Sequence, residues 1–210
     1  ARLLTGASNT IAGTTTFANM GTLALGDGGD TLAFTGGVVA TAPSGISVNG
    51  TVTAAGVGVI TLGDADTGVS VGGNTTVGGT GTGAITLGAA TLGDGVGLTV
   101  GTGINNAINL SSVLGNAGAG AETLIIDTTG VANIAGAVGA GGNALDQLTV
   151  TQSGGTTFAS TVDAKQITLT DSAAAATVAF QGNTNASTGL TVGAGTAAYN
   201  DRLPGASNTI

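Results

Sequence analysis

Carboxylates make up nearly all of this chain's reactive chemistry. Its eleven acids are ten Asp and Glu122, set against Arg2, Lys165 and Arg202, and it has neither His nor Cys. Two pairs have a spacing that could bring carboxyl groups together, Asp27 with Asp30 and Asp64 with Asp66. Paired carboxylates, one an acid and one a base or nucleophile, are what glycoside hydrolysis uses. The same residues beside Gly also make turns, because a short acidic side chain hydrogen-bonds its own backbone two residues on. The turn reading outweighs the catalytic one. Without an imidazole or a thiol, and with a single lysine, there is little from which to assemble a general base or an activated nucleophile. These residues argue against an enzyme.

Threonine offers a different chemistry. Thr51-Val52-Thr53, Thr80-Gly81-Thr82, Thr149-Val150-Thr151 and Thr168-Leu169-Thr170 resemble the Thr-x-Thr ladders of ice-binding β-solenoids. Their starts lie 29, 69 and 19 residues apart, so at a constant turn length they would not share a face. Ordinary β-propensity accounts for them. The run Leu25-Gly26-Asp27-Gly28-Gly29-Asp30-Thr31-Leu32 is similar to one copy of the Gly/Asp nonapeptide of calcium-binding β-rolls. That resemblance implies Ca²⁺ held by carboxylate and carbonyl oxygens, with Asp27 and Asp30 as the candidate ligands. Such sites need successive stacked copies, and Asp64 and Asp94 lack the second Gly-Asp. A plain turn is the stronger reading, and no other cofactor is expected.

The most informative pattern lies at the two ends. Arg2-Leu3-Leu4-Thr5-Gly6-Ala7-Ser8-Asn9-Thr10-Ile11 returns as Arg202-Leu203-Pro204-Gly205-Ala206-Ser207-Asn208-Thr209-Ile210, with GASNTI repeated 199 positions on (205 − 6). Self-similarity at a fixed distance is the mark of repeat architectures. Residues 1–210 therefore read as a single module: one period of about 199 residues in a tandem array, plus the start of the next copy. Gly6, Asn9 and Ile11, with Gly205, Asn208 and Ile210, become the candidate junction residues, expected on equivalent rungs of successive copies. Both ends have the small-polar-aliphatic texture of the interior, and charge near them comes from Arg2, Asp201 and Arg202.

Composition narrows the fold to β-structure. Gly numbers 41 against 2 Pro, which excludes collagen, and helix formers are scarce. Short apolar-x-apolar triplets recur between Gly, Asn and Asp, among them Leu23-Ala24-Leu25, Val57-Gly58-Val59, Ile85-Thr86-Leu87 and Leu148-Thr149-Val150. Period two puts one face inward. With Phe17, Phe34, Phe158, Phe180 and Tyr199 as the only aromatics, a two-sheet sandwich would be hard to fill. A parallel β-helix (β-solenoid) has a narrow interior that small and branched residues suit. Two strands per turn predict rungs of roughly 20–24 residues, and nine such rungs per period advance on the order of 43 Å. The net charge of −8 and the lack of a basic patch exclude a nucleic-acid binder and an anionic membrane surface. The uncharged stretch from Gly95 to Ala121 is interrupted too often by Gly, Thr, Asn and Ser to insert as a spanning helix.

The segment from Leu145 to Thr170, with its Leu-Thr-Val, Gly-Gly-Thr-Thr-Phe and Ile-Thr-Leu runs, resembles the repeats of filamentous-haemagglutinin-like and autotransporter adhesins. The resemblance is strongest over 145–192 and implies a right-handed coil and a secreted bacterial fibre, with no receptor and no site residues carried over. The expectation is a non-catalytic structural module of a repetitive extracellular or cell-surface filament or giant adhesin, its partners being copies of itself stacked end to end. The alternatives are a separate subunit that self-assembles into a surface fibre or sheath, and an ice- or calcium-binding β-solenoid.

Overall fold

In a computed structural model the chain is all-β, its parallel strands stacked as a β-solenoid of about 8 turns. The structure describes residues 1–116, 121–170, 176–193, 200–205 and 207–210, with the backbone alone for 200–202. Tyr199 and the side chains of Asp201 and Arg202 lie outside the described residues.

Strand pairing runs along three columns, which define three faces. The first face joins Arg2–Leu4 to the start of Leu23–Phe34, the start of Ile46–Ala54, Val69–Val71 and the end of Ile85–Leu92. It continues through Val113, Val138 and Val162 to Thr184. The second face stacks Ser8–Ile11, the ends of Leu23–Phe34 and Ile46–Ala54, Thr75–Gly79, Gly97–Ile104, Thr123–Thr128 and Leu145–Gln152. The ends of Val162–Leu169 and Thr184–Val192 complete it. The third face runs from Thr15–Thr16 through Val38–Ala40, Ile60–Leu62 and the starts of Ile85–Leu92 and Ile108–Leu114. Ala132–Ile134, Thr156–Phe158, Thr177–Phe180 and Asn200–Arg202 finish it.

Each turn therefore holds three short strands where the triplet spacing predicts two. Turn length is close to expectation: along the first face it runs from 21 residues (Arg2 to Leu23) to 25 (Val113 to Val138). The missing third strand is explained by what points inward. Thr75, Ala132 and Thr156 occupy inward positions and are buried, so their strands lack the apolar-x-apolar signature. Val57-Gly58-Val59 errs the other way: it is a corner, with Val57 84 % exposed, and the strand begins at Ile60.

One turn shows how the core is built. Leu23 and Leu25 point inward from the first face, Leu32 and Phe34 from the second, Val38 and Ala40 from the third, and all six are buried. Each stacks on its equivalent a rung away, about 4.7–4.9 Å along the axis. The aromatics follow the same rule. Phe158 and Phe180 are in register and stack with ring centroids 4.8 Å apart and 8° between planes, while Phe17 meets Phe34 edge-on at 6.3 Å. Such pairs add about 0.5–1.5 kcal/mol beyond burial.

Backbone carbonyls at the corners of this narrow tube are satisfied from inside. Asn106, buried between the second and third faces, donates from Nδ2 to the carbonyls of Gly81 (2.6 Å) and Gly83 (2.8 Å) one turn away. Its own N–H goes to Thr128 Oγ1 at 3.2 Å in the next turn, and that hydroxyl donates to the carbonyl of Ile104 or of Asn106. Polar side chains here close the hydrogen-bond accounts of buried backbone.

Where the chain passes from the first face to the second, Gly50 has φ +129 and lies against Asp30: a β-carbon there would stand 2.5 Å from the Asp30 carbonyl oxygen. Only glycine accepts both conditions. Gly50→Ala should cost more than about 1 kcal/mol, because the native conformation is incompatible with a side chain. Gly13→Ala, with nothing within 4 Å of the added carbon, should leave the thermal midpoint unchanged. Circular dichroism melts of the two variants check this.

Candidate functional site

The carboxylates singled out in the sequence serve the corners. Asp30 is buried, and its Oδ2 accepts from the backbone N–H of Asp27 (3.1 Å) and of Gly6 (3.2 Å), tying a corner to the turn before it. Asp27 is exposed. Asp64 Oδ1 accepts from the N–H groups of Asp66 (3.0 Å) and Thr67 (2.9 Å), which is an Asx turn. The structure thus places Asp27 and Asp30 together as a turn whose inner carboxylate is taken up by N–H donors. Asp64 and Asp66 likewise share a turn, with both side chains exposed and the Asp64 carboxylate as the acceptor. Among the described residues no group of three or more acidic, His or Cys side chains is positioned to hold a metal ion.

Outward positions distinguish the faces. On the second face Ser8, Thr31, Thr51, Thr76, Thr99, Ile125, Thr149, Thr168 and Thr191 stand in one register column. All but Ile125 carry a hydroxyl. This corrects the expectation that Thr51, Thr149 and Thr168 would not line up: turns of unequal length are absorbed at the corners, and the strands stay in register. Thr80 does not join them; it lies outside the strands. The equivalent column on the third face mixes Thr16, Val39, Thr61, Thr86, Asn109 and Asn133. On the first face small residues such as Ala24, Ser47 and Ser70 leave a shallow, open, mostly apolar groove of about 740 Å³.

The repeated end segments share a local device and differ in placement. Asn9 Nδ2 donates to the Gly6 carbonyl at 2.9 Å, and Asn208 Nδ2 donates to the Gly205 carbonyl at 3.0 Å. In both copies the asparagine braces the corner that precedes it. Gly6 has φ +122, whereas Gly205 does not have a positive φ. Ser8–Ile11 lies on the second face, with Asn9 paired to Leu32 and Ile11 packed on the core. In the second copy Arg202 pairs with Ala179 on the third face and Thr209 with Asn185 on the first, while Ile210 is 59 % exposed. From Asn9 the second-face register passes through Leu32, Val52, Val77, Val100, Ile126, Val150 and Leu169 to Val192. Asn208 follows two faces later. Eight turns and two faces separate the copies, so a pure axial step does not relate them. A step with rotation by one face brings their strand positions into correspondence, while the backbone at Gly6 and at Gly205 differs.

Charge elsewhere is sparse. Lys165 Nζ meets Asp146 Oδ1 at 3.0 Å, half-exposed, a pair worth about 0–1 kcal/mol. Partial burial raises the Asp127 carboxyl above the usual aspartate range. Sequence reasoning passed over the single glutamate, Glu122, which is fully buried, with neither carboxylate oxygen meeting a hydrogen-bond partner among the described residues. Its only signal was position: an acid directly before the apolar strand Thr123–Thr128.

No protein-family model matches the chain, and no curated protein and no solved structure gives a significant match. Of the resemblance to bacterial β-helix adhesins, the β-solenoid architecture itself is what the structure supports.

Proposed function

We propose that this chain is a non-catalytic structural module of a repetitive filament or giant adhesin at the cell surface or beyond it. Its partners are copies of itself, continuing along one axis. The observation that carries the reading is the repeated end segment, braced by the same asparagine in both copies. It stands in the outermost turns, where a next period would begin. The three columns of backbone donors and acceptors favour continuation, since an open strand edge is a template for another strand. The style of the 145–192 repeats supports a secreted setting. In the proposed array each period is turned by one face relative to the last, so the threonine column winds around the fibre. The rival form, separate chains stacking without a covalent link, uses the same edges.

A two-period chain, made by running residues 12–210 on from Ile210, tests this. Its small-angle scattering should show a single rod, longer by on the order of 42 Å than the 210-residue chain and unchanged in cross-section. Two bodies hinged at the junction, or a cross-section that doubles, would overturn the proposal.

The in-register threonine column favours a second reading, in which the second face orders water at an ice surface. Thermal hysteresis that disappears when Thr76→Tyr interrupts the column would support it. A chain without thermal hysteresis would remove it.

A further inference from the structure

Glu122 is a buried ionisable group whose carboxylate the packing of the solenoid leaves without a partner among the described residues. In five successive turns the inward position ending the first-face strand is Leu4, Leu25, Val48, Val71 and Leu92. Thr91 pairs with Leu114, so in the next turn that position falls on Gly115. The leucine or valine that fills this corner in the five preceding turns is missing here, and Glu122 enters the space. Its Oε2 lies 3.1 Å from the point where a β-carbon of Gly115 would stand. The carbonyl oxygens of Asn143 and Ala144 lie 3.0 and 3.2 Å from the same point. The Gly115 N–H donates to the Asn143 carbonyl at 3.0 Å and holds it in place, leaving that oxygen a second lone pair.

Three oxygens thus lie within 3.0–3.2 Å of one point beside Gly115, one of them from a buried carboxylate that meets no hydrogen-bond donor among the described residues. Taking an unpaired carboxylate out of water is strongly unfavourable. Removing a neighbouring side chain to admit it adds the loss of packing. Both costs are offset if a cation occupies the cluster. We propose that Glu122, with the carbonyls of Asn143 and Ala144, forms an internal calcium site at the corner between the first and second faces. Calcium accepts a mixed set of carboxylate, carbonyl and water oxygens at about 2.3–2.6 Å in flexible geometry, which small movements of these groups provide. Magnesium demands a tighter octahedron and sheds its water reluctantly. The site is separate from Asp27 and Asp30, where N–H donors already engage the inner carboxylate.

The test uses the 210-residue chain stripped with a chelator and then dialysed free of it. Calorimetric titration with calcium chloride should show one ion bound per chain. The thermal midpoint should rise by several degrees in calcium, and less in magnesium or potassium at equal ionic strength. Glu122→Gln keeps the shape and removes the charge. Gly115→Ala places a methyl at the centre of the cluster. Each should abolish calcium binding while keeping the β circular dichroism, and Asp27→Ala should bind as the parent does. Failure of the parent to bind calcium would overturn the assignment. So would binding that survives Glu122→Gln or Gly115→Ala, loss of binding in Asp27→Ala, or an equal shift in potassium.

Discussion

Adjacent strands in this molecule stand one rung apart, so each inward side chain must pack on the inward side chain of the next turn. The parallel ladder that sets this spacing is the constraint to which the other features answer. It makes the tube too narrow for large side chains except where they stack, as Phe158 and Phe180 do at 4.8 Å. It brings the backbone of one corner against the next, so that Gly50 can lie on Asp30 only without a side chain. It also explains how turns of different length coexist. Residues added at a corner displace nothing in the strands, and the second-face threonines keep their register although Thr51 and Thr76 are further apart in sequence than Thr149 and Thr168.

The outermost turns meet the same constraint with different residues. Arg2, Asn9 and Thr15 pair with Leu23, Leu32 and Val38, the inward apolar residues of the following turn. At the other end Thr184 accepts Asn208 as its neighbour: the Thr184 N–H donates to Asn208 Oδ1 at 2.9 Å. Polar side chains thus occupy positions that carry aliphatics in nearly every interior turn, Thr156 being the exception in the Thr15 column. In the proposed array these residues become a polar layer at each junction, and a polar layer inside an apolar stack is suited to fixing register.

Much of the fold was legible in the sequence because stacking imposes period two on every strand that buries aliphatics. Leu23-Ala24-Leu25, Ile85-Thr86-Leu87 and Leu148-Thr149-Val150 are strands as read, and the turns, 21 to 25 residues along the first face, fall close to the roughly 20–24 expected. The third strand of each turn was hidden where Thr or Ala serves as the inward residue, as at Thr156 and Ala132. The candidate site was less legible, for a reason of register. Reading Thr51, Thr149 and Thr168 as scattered assumed a constant turn length, which the chain does not have. Repetition marked the candidate junction residues, but the face on which each copy lies depends on every turn between them. Glu122 gave no composition signal, since its burial follows from a glycine seven residues earlier standing where a leucine stands one turn before.

The central claim is that the second copy of the repeated end segment lies on the first face of one continuous solenoid, whereas the first copy lies on the second. The chain contains no cysteine, so pairs of introduced cysteines carrying pyrene report which strands are neighbours. With labels at Asn185→Cys and Thr209→Cys, across the first-face bridge, the account predicts strong excimer emission. With labels at Thr191→Cys and Ser207→Cys, which would be adjacent if the segment returned to its original face, it predicts monomer emission. The reverse pattern would contradict it.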